Sequence, residues 1–404
     1  MSWMRSVFFC SALVMAVVAY LLHRHTVVDE RLQLPMTHTH FMLPISRIIK
    51  KMRGASVNVD GPTFRNSLKP HFMLRSFCLG KDPPQELESV FKQGGVEVMR
   101  FKRVKRVQNP TTTLVYIHGG GYVIGSPEMV AGPIHRLEHG TDSQLFFIRY
   151  RLAPEHLFPT AVDDCVAMVK YIMDHSDQLG VDKHNVQIFG DSAGGMLATL
   201  VAIELLKNQE QYPLKAVHAI YPWYYILNDM PSAKKFSIDP SDVLDQTDLA
   251  RFMSFYLLGD TSCMQSKVTN EHLTQKVWEK YLLKTKEFKL KNFPQPVTSH
   301  FKSSKDKSSD CAARLESMLL DPRNNIIFHE KDQLQRLNKT DFRLYSCEVD
   351  ILRDDSYLMA SMLDALEVKY NHVNIESCYH GSVHSTNAVG GEQLRQELIR
   401  SMRR

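Results

Sequence analysis

The stretch IHGGGYVIGS, Ile117–Ser126, decides how the rest of the chain is interpreted. It places three consecutive glycines, Gly119, Gly120 and Gly121, directly behind an apolar run that is typical of a buried strand. One glycine is enough for an ordinary turn, so three in succession indicate backbone that another group must approach closely. A phosphate-binding loop is the alternative, but the stretch lacks the Lys-Ser/Thr ending of a P-loop and the dispersed glycines of a dinucleotide site.

A second glycine-rich motif, GDSAGG, lies further along the chain. The strand-like run VQIFG leads into it and the helical run MLATLVAIELL follows it, which is the context that a G-x-S-x-G motif requires. Its glycines allow neighbouring backbone to approach a strained turn that pushes the Ser192 hydroxyl into the open. The sequence therefore predicts Ser192 as a nucleophile. The other positions that the two motifs fix are His118, Gly190, Asp191 and Gly194.

A serine hydroxyl is a poor nucleophile at neutral pH and needs a positioned base. The candidate bases late in the chain are His329, His372, His380 and His384. His380 stands just past the strand-like run HVNIESC, where Gly381 gives a loop that can lean over a sheet, so it is the predicted base. His384 is a nearby competitor. His329 lies inside a long insertion and His372 opens a strand, where a structural histidine is the simpler explanation.

The imidazole in turn needs a carboxylate that fixes its tautomer and stabilises the imidazolium. Asp350 follows the strand-like run RLYSC, so we expect it in the loop at that strand's carboxyl end. Asp354 and Asp355 precede a helix and are predicted to cap its N-terminus. Serine, aspartate and histidine then follow one another in the order of an α/β-hydrolase triad.

The glycine run has a chemical use beside such a serine. When a serine attacks an ester or amide carbonyl, negative charge collects on the carbonyl oxygen, and donors must already point at it. Glycine amides can approach closely because no Cβ blocks them, and one such donor stabilises the transition state by about 3 to 4 kcal/mol. The sequence therefore predicts an oxyanion hole built from the amides of Gly119, Gly120, Gly121 and Ala193.

Apolar runs rich in β-branched and aromatic residues recur along the chain and are typical of buried strands. Segments with helical spacing lie between them, at 161–173, 193–206 and 355–366. This alternation predicts an α/β fold with a mostly parallel central sheet and helices on both faces. The predicted strands are TLVYIH (113–118), LFFIRY (145–150), VQIFG (186–190), AVHAIYP (216–222), RLYSC (343–347) and HVNIESC (372–378).

Two stretches interrupt the alternation, residues 26–95 and 226–340. The second contains LARFMSFYLLG and VWEKYLL, which have the apolar faces of helices. Ligands of open α/β sheets bind at the carboxyl ends of the strands, where this insertion leaves the sheet, so we expect a mainly helical cap over a binding site. Extra structure against the sheet edge is the alternative. The expected organisation is an anchor (1–25), N-terminal cap elements (26–95), the first part of the core (96–225), the cap insertion (226–340) and the second part of the core (341–404).

The first 25 residues contain SVFFCSALVMAVVAYLLH, an uncharged run between Arg5 and Arg24. It reaches the lower limit of what spans a hydrocarbon core of roughly 30 Å. A signal anchor and a cleaved signal peptide both fit, and the lack of a clear polar cleavage region favours a retained anchor. The formal charge of +5 is spread along the chain without a basic tract, so the sequence predicts no nucleic-acid partner.

The seven cysteines are an odd number, so at least one is unpaired within a monomer. No CxxC or Cys/His ligand spacing appears, so the sequence predicts no metal site, and the chemistry outlined above needs no cofactor. One glycosylation sequon, at Asn338, fits a lumenal location.

Five motifs, in order, carry a family resemblance: HGGGYVIGS, YRLAPEHLFPTAVDD, GDSAGG, DILRDD and HG. Together they resemble the hormone-sensitive-lipase group of α/β-hydrolases, and the N-terminal apolar segment makes the chain similar to the arylacetamide deacetylase branch. The resemblance implies that Ser192, Asp350 and His380 form the triad and that the HGGG amides form the oxyanion hole. It also implies a single-pass anchor in the endoplasmic reticulum membrane, a lumenal catalytic domain, and an esterase or amidase that acts on lipophilic acyl substrates.

One position departs from that branch. Arylacetamide deacetylase itself has a cysteine shortly after the glycine run, facing one that precedes the catalytic aspartate; here Val123 takes the first position and Cys347 remains.

The predicted function is a membrane-anchored serine hydrolase of lipophilic esters or arylacetamides. One alternative is a neutral-lipid lipase at the membrane surface, and the other is a catalytically silent binder with the hydrolase fold. The residues that motivate the lipase are Phe252, Phe255, Tyr256, Leu257 and Leu258.

Overall fold

The computed structural model describes residue 63 and residues 86–102, 112–227, 232–233, 236, 244–288, 310–385 and 388–404. The predicted anchor at 1–25 and most of the predicted N-terminal cap elements lie outside these ranges. Within them, no helix combines the length and the apolar character needed to cross a membrane. The predicted fold class is confirmed: a mostly parallel sheet carries helices on both faces and a mainly helical insertion.

Eight strands form one sheet in the order β1-β2-β4-β3-β5-β6-β7-β8. The first strand pairs antiparallel with the second, the second antiparallel with the fourth, and all other neighbours are parallel. All six strands predicted from apolar runs are present. The strands are β1 (Leu87–Gln93), β2 (Val96–Phe101), β3 (Thr113–Ile117), β4 (Gln144–Arg149), β5 (Val186–Asp191), β6 (Ala216–Ile220), β7 (Asp341–Val349) and β8 (Tyr370–Tyr379).

The central strands are apolar on both faces because helices cover both faces. Along β3, Val115 and Ile117 pack into one buried cluster, and Leu114 and Tyr116 pack into the other. Successive side chains of a strand point to opposite faces, so a strand buried on both sides has no polar alternation. This explains why the runs are continuous in apolar residues.

Eleven α-helices lie in the described ranges. They are α1 (Pro127–Thr141), α2 (Thr160–Asp174), α3 (Ser176–Leu179), α4 (Ala193–Leu205), α5 (Gln246–Leu258), α6 (Met264–Val268), α7 (Gln275–Glu287), α8 (Asp310–Leu319), α9 (Lys331–Gln335), α10 (Arg353–Ala365) and α11 (Val389–Met402). Helices α1 and α11 cover one face of the sheet, and α2, α4 and α10 cover the other. In α4 every residue except Glu204 is buried, as its almost uninterrupted apolar sequence predicts.

The edge of the sheet differs from the expected organisation. Strand β1 falls within the range predicted as N-terminal cap elements, yet it pairs with β2 through a turn at Gly94 and Gly95, both at positive φ. Its sequence, LESVFKQ, carries little apolar signal because the strand is only half-buried at the sheet edge. An edge strand of this kind is hard to recognise from hydrophobic pattern alone.

The insertion between β6 and β7 packs onto the core. The side chains of Phe252, Phe255, Tyr256 and Leu257 on α5 are all buried and belong to the same apolar cluster as the sheet. They therefore point inward and do not form a membrane-facing surface. A disulfide between Cys263 and Cys311 joins the start of α6 to α8.

Candidate active site

The site is built around a strained turn between β5 and α4. Ser192 occupies this turn with φ 55° and ψ −124°, a conformation that non-glycine residues rarely adopt. A Cβ on Gly194 would lie 2.1 Å from the Ile117 carbonyl oxygen, and a Cβ on Gly190 would lie 2.3 Å from the Gly194 oxygen. Both glycines are therefore needed for the turn to press against β3. This is the physical reason for the G-x-S-x-G spacing.

The structure brings the three predicted triad residues together. The Nε2 atom of His380 lies 3.0 Å from the Ser192 hydroxyl oxygen, and its Nδ1 atom lies 3.0 and 3.2 Å from the two carboxylate oxygens of Asp350. The Leu352 amide donates to Asp350 Oδ1 at 2.7 Å and fixes that carboxylate. All three triad side chains are buried. In this arrangement Nδ1 carries the imidazole proton toward the carboxylate, which leaves Nε2 free to accept the serine proton.

The other candidate histidines have different partners. His384 faces Asp191, with its Nε2 atom 3.0 Å from Oδ2, and so does not share a carboxylate with His380. His372 Nε2 lies 2.8 Å from the Ser346 hydroxyl, within the β7–β8 pair. His329 is buried, and its burial lowers its pKa to about 4.

The oxyanion prediction is corrected at one position. The Gly119 amide donates to Asp191 Oδ1 at 3.0 Å, so it is not available to a substrate oxygen. Gly119 is required for packing instead, because a Cβ there would lie 2.6 Å from the Asp191 carbonyl oxygen. The amides of Gly120, Gly121 and Ala193 donate to no acceptor among the described residues.

Asp191, next to the nucleophile, joins three parts of the site. Its carboxylate accepts hydrogen bonds from the Tyr116 hydroxyl at 2.6 Å, from the Gly119 amide and from His384. Burial by itself raises the pKa of this carboxyl, but the interactions with His384, Tyr116 and the Gly119 amide outweigh it and hold the pKa at about 2. Asp191 is therefore a buried carboxylate anion that ties the nucleophile turn to the glycine-rich loop.

His118 also holds the glycine-rich loop in place. Its ring stacks on Tyr150 with centroids 4.3 Å apart, its Nδ1 atom lies 2.7 Å from the Gly119 carbonyl oxygen, and burial lowers its pKa to about 4. The Tyr150 hydroxyl donates to the His118 carbonyl at 2.9 Å. His118 is thus a neutral structural residue. The motif YRLAPEHLFPTAVDD, which begins at Tyr150, is the sequence signal for this support.

A second pair from that motif was not assigned a role from sequence. Arg151 binds both carboxylate oxygens of Asp164, through Nη2 at 2.6 Å and Nε at 2.9 Å, and its backbone amide also donates to Asp164 at 3.0 Å. This bidentate ion pair fastens the segment after β4 to α2. It therefore holds in place the segment that begins with Tyr150.

Asp354 and Asp355 do not cap α10, contrary to expectation. The carboxylate of Asp355 accepts from the Tyr225 amide at 2.8 Å, and that of Asp354 accepts from the Ser232 amide at 2.8 Å. Both donors belong to the chain that leaves β6. Burial raises the pKa of the Asp355 carboxyl. These residues fasten the start of the insertion to the second part of the core.

The insertion lies directly against the glycine-rich loop. A Cβ on Gly121 would lie 2.5 Å from Cγ of Phe252, so the phenyl ring packs on bare backbone. The ring of Tyr256 stacks on Tyr122 with centroids 3.9 Å apart, and the ring of Trp223 lies 6.0 Å from that of Tyr122. The Trp223 amide also donates to the Ser192 carbonyl. Aromatic side chains from both the core and the insertion thus pack against the glycine-rich loop that adjoins the nucleophile turn.

The structure also shows the partners of two further cysteines and of the sequon asparagine. A disulfide joins Cys347 on β7 to Cys378 on β8, and among the described residues Cys165 is free and buried. Asn338 is exposed, and its side-chain oxygen accepts from the Lys369 amide at 2.8 Å. Within the described ranges, no group of histidine, cysteine or acidic side chains is arranged to hold a metal ion.

Comparison with known proteins agrees with this geometry. Residues 114–288 match the family described as alpha/beta hydrolase fold. The chain is 29% identical over 301 residues to arylacetamide deacetylase of Oryctolagus cuniculus, covering 72% of this chain and 73% of the relative. It is 28% identical over 322 residues to neutral cholesterol ester hydrolase 1 of Bos taurus, covering 76% and 77% of the two chains.

Among solved structures, a hyperthermophilic esterase from the archaeon Pyrobaculum calidifontis superposes with a TM-score of 0.64 at 22% identity. The superposition covers 89% of this chain and 96% of the esterase. At this identity it supports the fold alone, whereas the sequence relatives support the kind of enzyme. The chain is therefore a carboxylesterase-type hydrolase with the α/β-hydrolase fold, similar to the arylacetamide deacetylases and neutral cholesterol ester hydrolases.

Proposed function

We propose that this chain hydrolyses carboxylic esters through a covalent acyl-enzyme on Ser192. The observation that carries the proposal is the continuous chain of hydrogen bonds from Ser192 through His380 to Asp350. An unpaired serine would be a poor nucleophile, but one whose hydroxyl lies 3.0 Å from an oriented imidazole can lose its proton as it attacks.

In the proposed reaction, Ser192 Oγ bonds to the ester carbonyl carbon while His380 Nε2 takes its proton. The carbon–oxygen bond to the leaving alcohol then breaks as Nε2 returns that proton to the alcohol oxygen. Water repeats the cycle on the acyl-serine and releases the acid. Asp350 stays ionised throughout and stabilises the imidazolium of His380.

The amides of Gly120, Gly121 and Ala193 are the proposed oxyanion donors. They belong to the glycine-rich loop and to the first residue of α4, which meet at the nucleophile turn. Gly119 takes no part as a donor, because its amide binds Asp191. We therefore expect a hole of three backbone donors rather than four.

A lipophilic acyl substrate fits the surroundings of the nucleophile. Phe252 packs on Gly121, and the ring of Tyr122 in the same loop stacks on Tyr256 and lies 6.0 Å from the ring of Trp223. Aromatic walls favour apolar groups over charged ones, because a buried charge without a partner is costly. Aryl or alkyl esters, and arylacetamides by analogy with the arylacetamide deacetylases, are the proposed substrates.

Hydrolysis of a neutral-lipid ester is the second candidate substrate reaction. The similarity to neutral cholesterol ester hydrolase 1 favours it. The aromatic residues of α5 do not support it by themselves, because they are buried and leave no apolar face for a membrane. Hydrolysis rates for a series of esters, from acetyl to oleoyl and cholesteryl, separate the two candidates.

We also propose that the catalytic domain lies in the lumen of the endoplasmic reticulum, held by residues 1–25 as a single-pass type II anchor. Two disulfides, Cys263–Cys311 and Cys347–Cys378, support an oxidising compartment, because such bonds persist there. The exposed sequon at Asn338 supports it further. Protease protection in microsomes, together with a glycosidase-sensitive mobility shift that Asn338→Gln removes, tests this location.

The first test of the function is covalent labelling with a fluorophosphonate probe, which reacts with activated serines. Wild-type protein, Ser192→Ala and Ser361→Ala are compared in the same membranes. Ser361 lies on α10, and its hydroxyl donates to the Tyr357 carbonyl, so this variant is a matched control. We expect the wild type and Ser361→Ala to be labelled, and Ser192→Ala to be unlabelled.

If the folded, glycosylated wild type is not labelled and hydrolyses no ester, the proposal fails. The chain would then be a ligand binder that keeps the hydrolase fold. If Ser192→Ala is labelled as strongly as the wild type, another serine is the nucleophile.

A further inference from the structure

The loop after β8 presents two histidines to the nucleophile turn. His380 binds the Ser192 hydroxyl, and His384, four residues later, places its Nε2 atom 3.0 Å from Asp191 Oδ2. Asp191 and Ser192 are consecutive. One short loop is therefore attached to the turn at two points, directly on the nucleophile and on the residue before it.

The partner of His384 is Asp191, whose carboxylate accepts hydrogen bonds from three parts of the site. The Asp191 carboxylate also accepts from Gly119, the first glycine of the HGGG run, and from the Tyr116 hydroxyl on β3. Of these three donors, only His384 belongs to the loop that also carries His380. A buried carboxylate without a full set of donors is costly, so the hydrogen bond from His384 helps to hold Asp191 in place.

The loop that carries His384 is itself held firmly. His384 ends a short helical turn, Ser382–His384, and Arg395 of α11 donates to the carbonyls on both sides of it. These bonds join Arg395 Nη1 to the Val383 oxygen at 3.1 Å and to the Ser385 oxygen at 2.6 Å. The Arg395 side chain is fully buried. The imidazole is thus presented to Asp191 from a fixed backbone.

We infer that His384 is a positioning residue that acts through Asp191 to hold the glycine-rich loop and Ser192 in their reactive geometry. The inference rests on the proposed function. His384 contacts the carboxylate and not the Ser192 hydroxyl, so its role differs from that of the base. If its bond is lost, Asp191 loses a donor, and the Gly119 amide that anchors the oxyanion loop is held less firmly.

The expected kinetic effect follows from which backbone amides move when the His384 hydrogen bond is lost. Gly120 and Gly121 follow directly on Gly119, so a looser anchor moves their amides relative to the developing oxyanion. Such donors act in the transition state more than on the bound substrate, so their displacement lowers kcat and leaves KM nearly unchanged. A change in substrate contacts would instead raise KM.

Three variants separate these possibilities. His384→Leu removes the donor, and His384→Asn keeps a polar group that is too short to reach Asp191. The amide nitrogen of His384→Gln can take the place of Nε2. For hydrolysis of p-nitrophenyl acetate, we expect His384→Leu and His384→Asn to lower kcat by about 10-fold to 100-fold, with KM changed little. We expect His384→Gln to recover most of the loss, and fluorophosphonate labelling rates to follow the same order.

His372→Gln is the matched control, because this histidine also follows β7 in the chain but binds Ser346. We expect it to leave kcat unchanged. If folded His384→Leu and His384→Asn both keep the wild-type kcat, or if only KM rises, the inference is wrong. If His384→Leu does not fold, the comparison of His384→Asn with His384→Gln decides the same question. A wild type that neither hydrolyses the ester nor reacts with the probe refutes the proposed function itself, and the inference falls with it.

Discussion

The nucleophile turn between β5 and α4 and the cap insertion (226–340) are held in place by different means. In the turn, backbone sterics decide two positions, because a Cβ on Gly190 or Gly194 would lie 2.3 or 2.1 Å from a carbonyl oxygen. In the insertion, packing decides, as Phe252 and Tyr256 lie on the glycine-rich loop and a disulfide joins two of its helices. The comparison indicates that steric exclusion by the backbone fixes the nucleophile turn, whereas side-chain packing fixes the insertion.

The largest expected effect concerns the local chemistry. In Asp350→Asn, the amide nitrogen faces His380 Nδ1 and selects the wrong imidazole tautomer, so we expect kcat to fall about 10⁴-fold with little loss of stability. Steady-state ester hydrolysis and thermal unfolding measure the two effects. Asp364→Asn, on an exposed carboxylate that accepts from Tyr370, is the control. A nearly normal kcat in Asp350→Asn would mean that another group orients His380.

The sterics of the turn give the next effect. Gly194→Ala forces a Cβ to within 2.1 Å of the Ile117 oxygen, so we expect it to lower the free energy of unfolding by about 4 kcal/mol or more. Gly180→Ala is the comparison, because Gly180 has positive φ, which Gly194 does not, but no atom lies within 4 Å of the added Cβ. We expect it to cost only about 1 kcal/mol. Equal losses in the two variants, measured by chemical denaturation, would show that the turn tolerates a side chain.

The contrast between local and long-range interactions also explains which features could be predicted from the sequence. Six of the eight strands and α4 were predictable because each is signalled by residues close together in the chain, such as VQIFG leading into GDSAGG. The half-buried strand β1 was not predictable as a sheet strand, because it has little apolar pattern and its partner covers only one side. Local signals thus give the core of the fold and leave its edge undefined.

Hydrogen bonds between distant segments were missed for a related reason. The sequence could not indicate that the Gly119 amide binds Asp191, or that Asp355 accepts from Tyr225 instead of capping its own helix. His384 was recognised only as a competitor of His380, because both histidines stand in one loop and their carboxylate partners lie far away in sequence. The chain topology decides these pairings, and no short motif records them.

Removal of the disulfide in the insertion should have a smaller effect, which we expect in stability and not in catalysis. The Cys263–Cys311 bond closes a loop between residues 48 apart, so replacing both cysteines with serine should lower the free energy of unfolding by about 3 kcal/mol. Because neither cysteine contacts the triad, we expect kcat for a short ester to stay near the wild-type value. Thermal unfolding and acetate-ester kinetics test the two statements. A collapse of kcat would mean that the insertion takes part in forming the reactive geometry.

The smallest expected effect concerns two buried histidines, His272 in the insertion and His218 in the core. Burial lowers the pKa of His272 in the insertion to about 3, while in the unfolded chain it titrates near 6.5. Below pH 6.5 the unfolded state binds a proton that the folded state does not, so this histidine reduces stability progressively as the pH falls toward 3. Between pH 7 and pH 5 its share of the loss is about 2 kcal/mol.

His272→Gln tests that share, because the glutamine amide can still donate to the Leu227 carbonyl that His272 Nε2 binds at 2.6 Å. We expect the unfolding free energy of this variant to fall less steeply between pH 7 and pH 5 than that of the wild type. His218 is the counterpart in the core, where burial also lowers the pKa to about 3 and Nε2 binds Gln187. If His218→Gln flattens the pH dependence and His272→Gln does not, the insertion opens to solvent before the sheet unfolds, and packing in the cap is weaker than packing around the nucleophile turn.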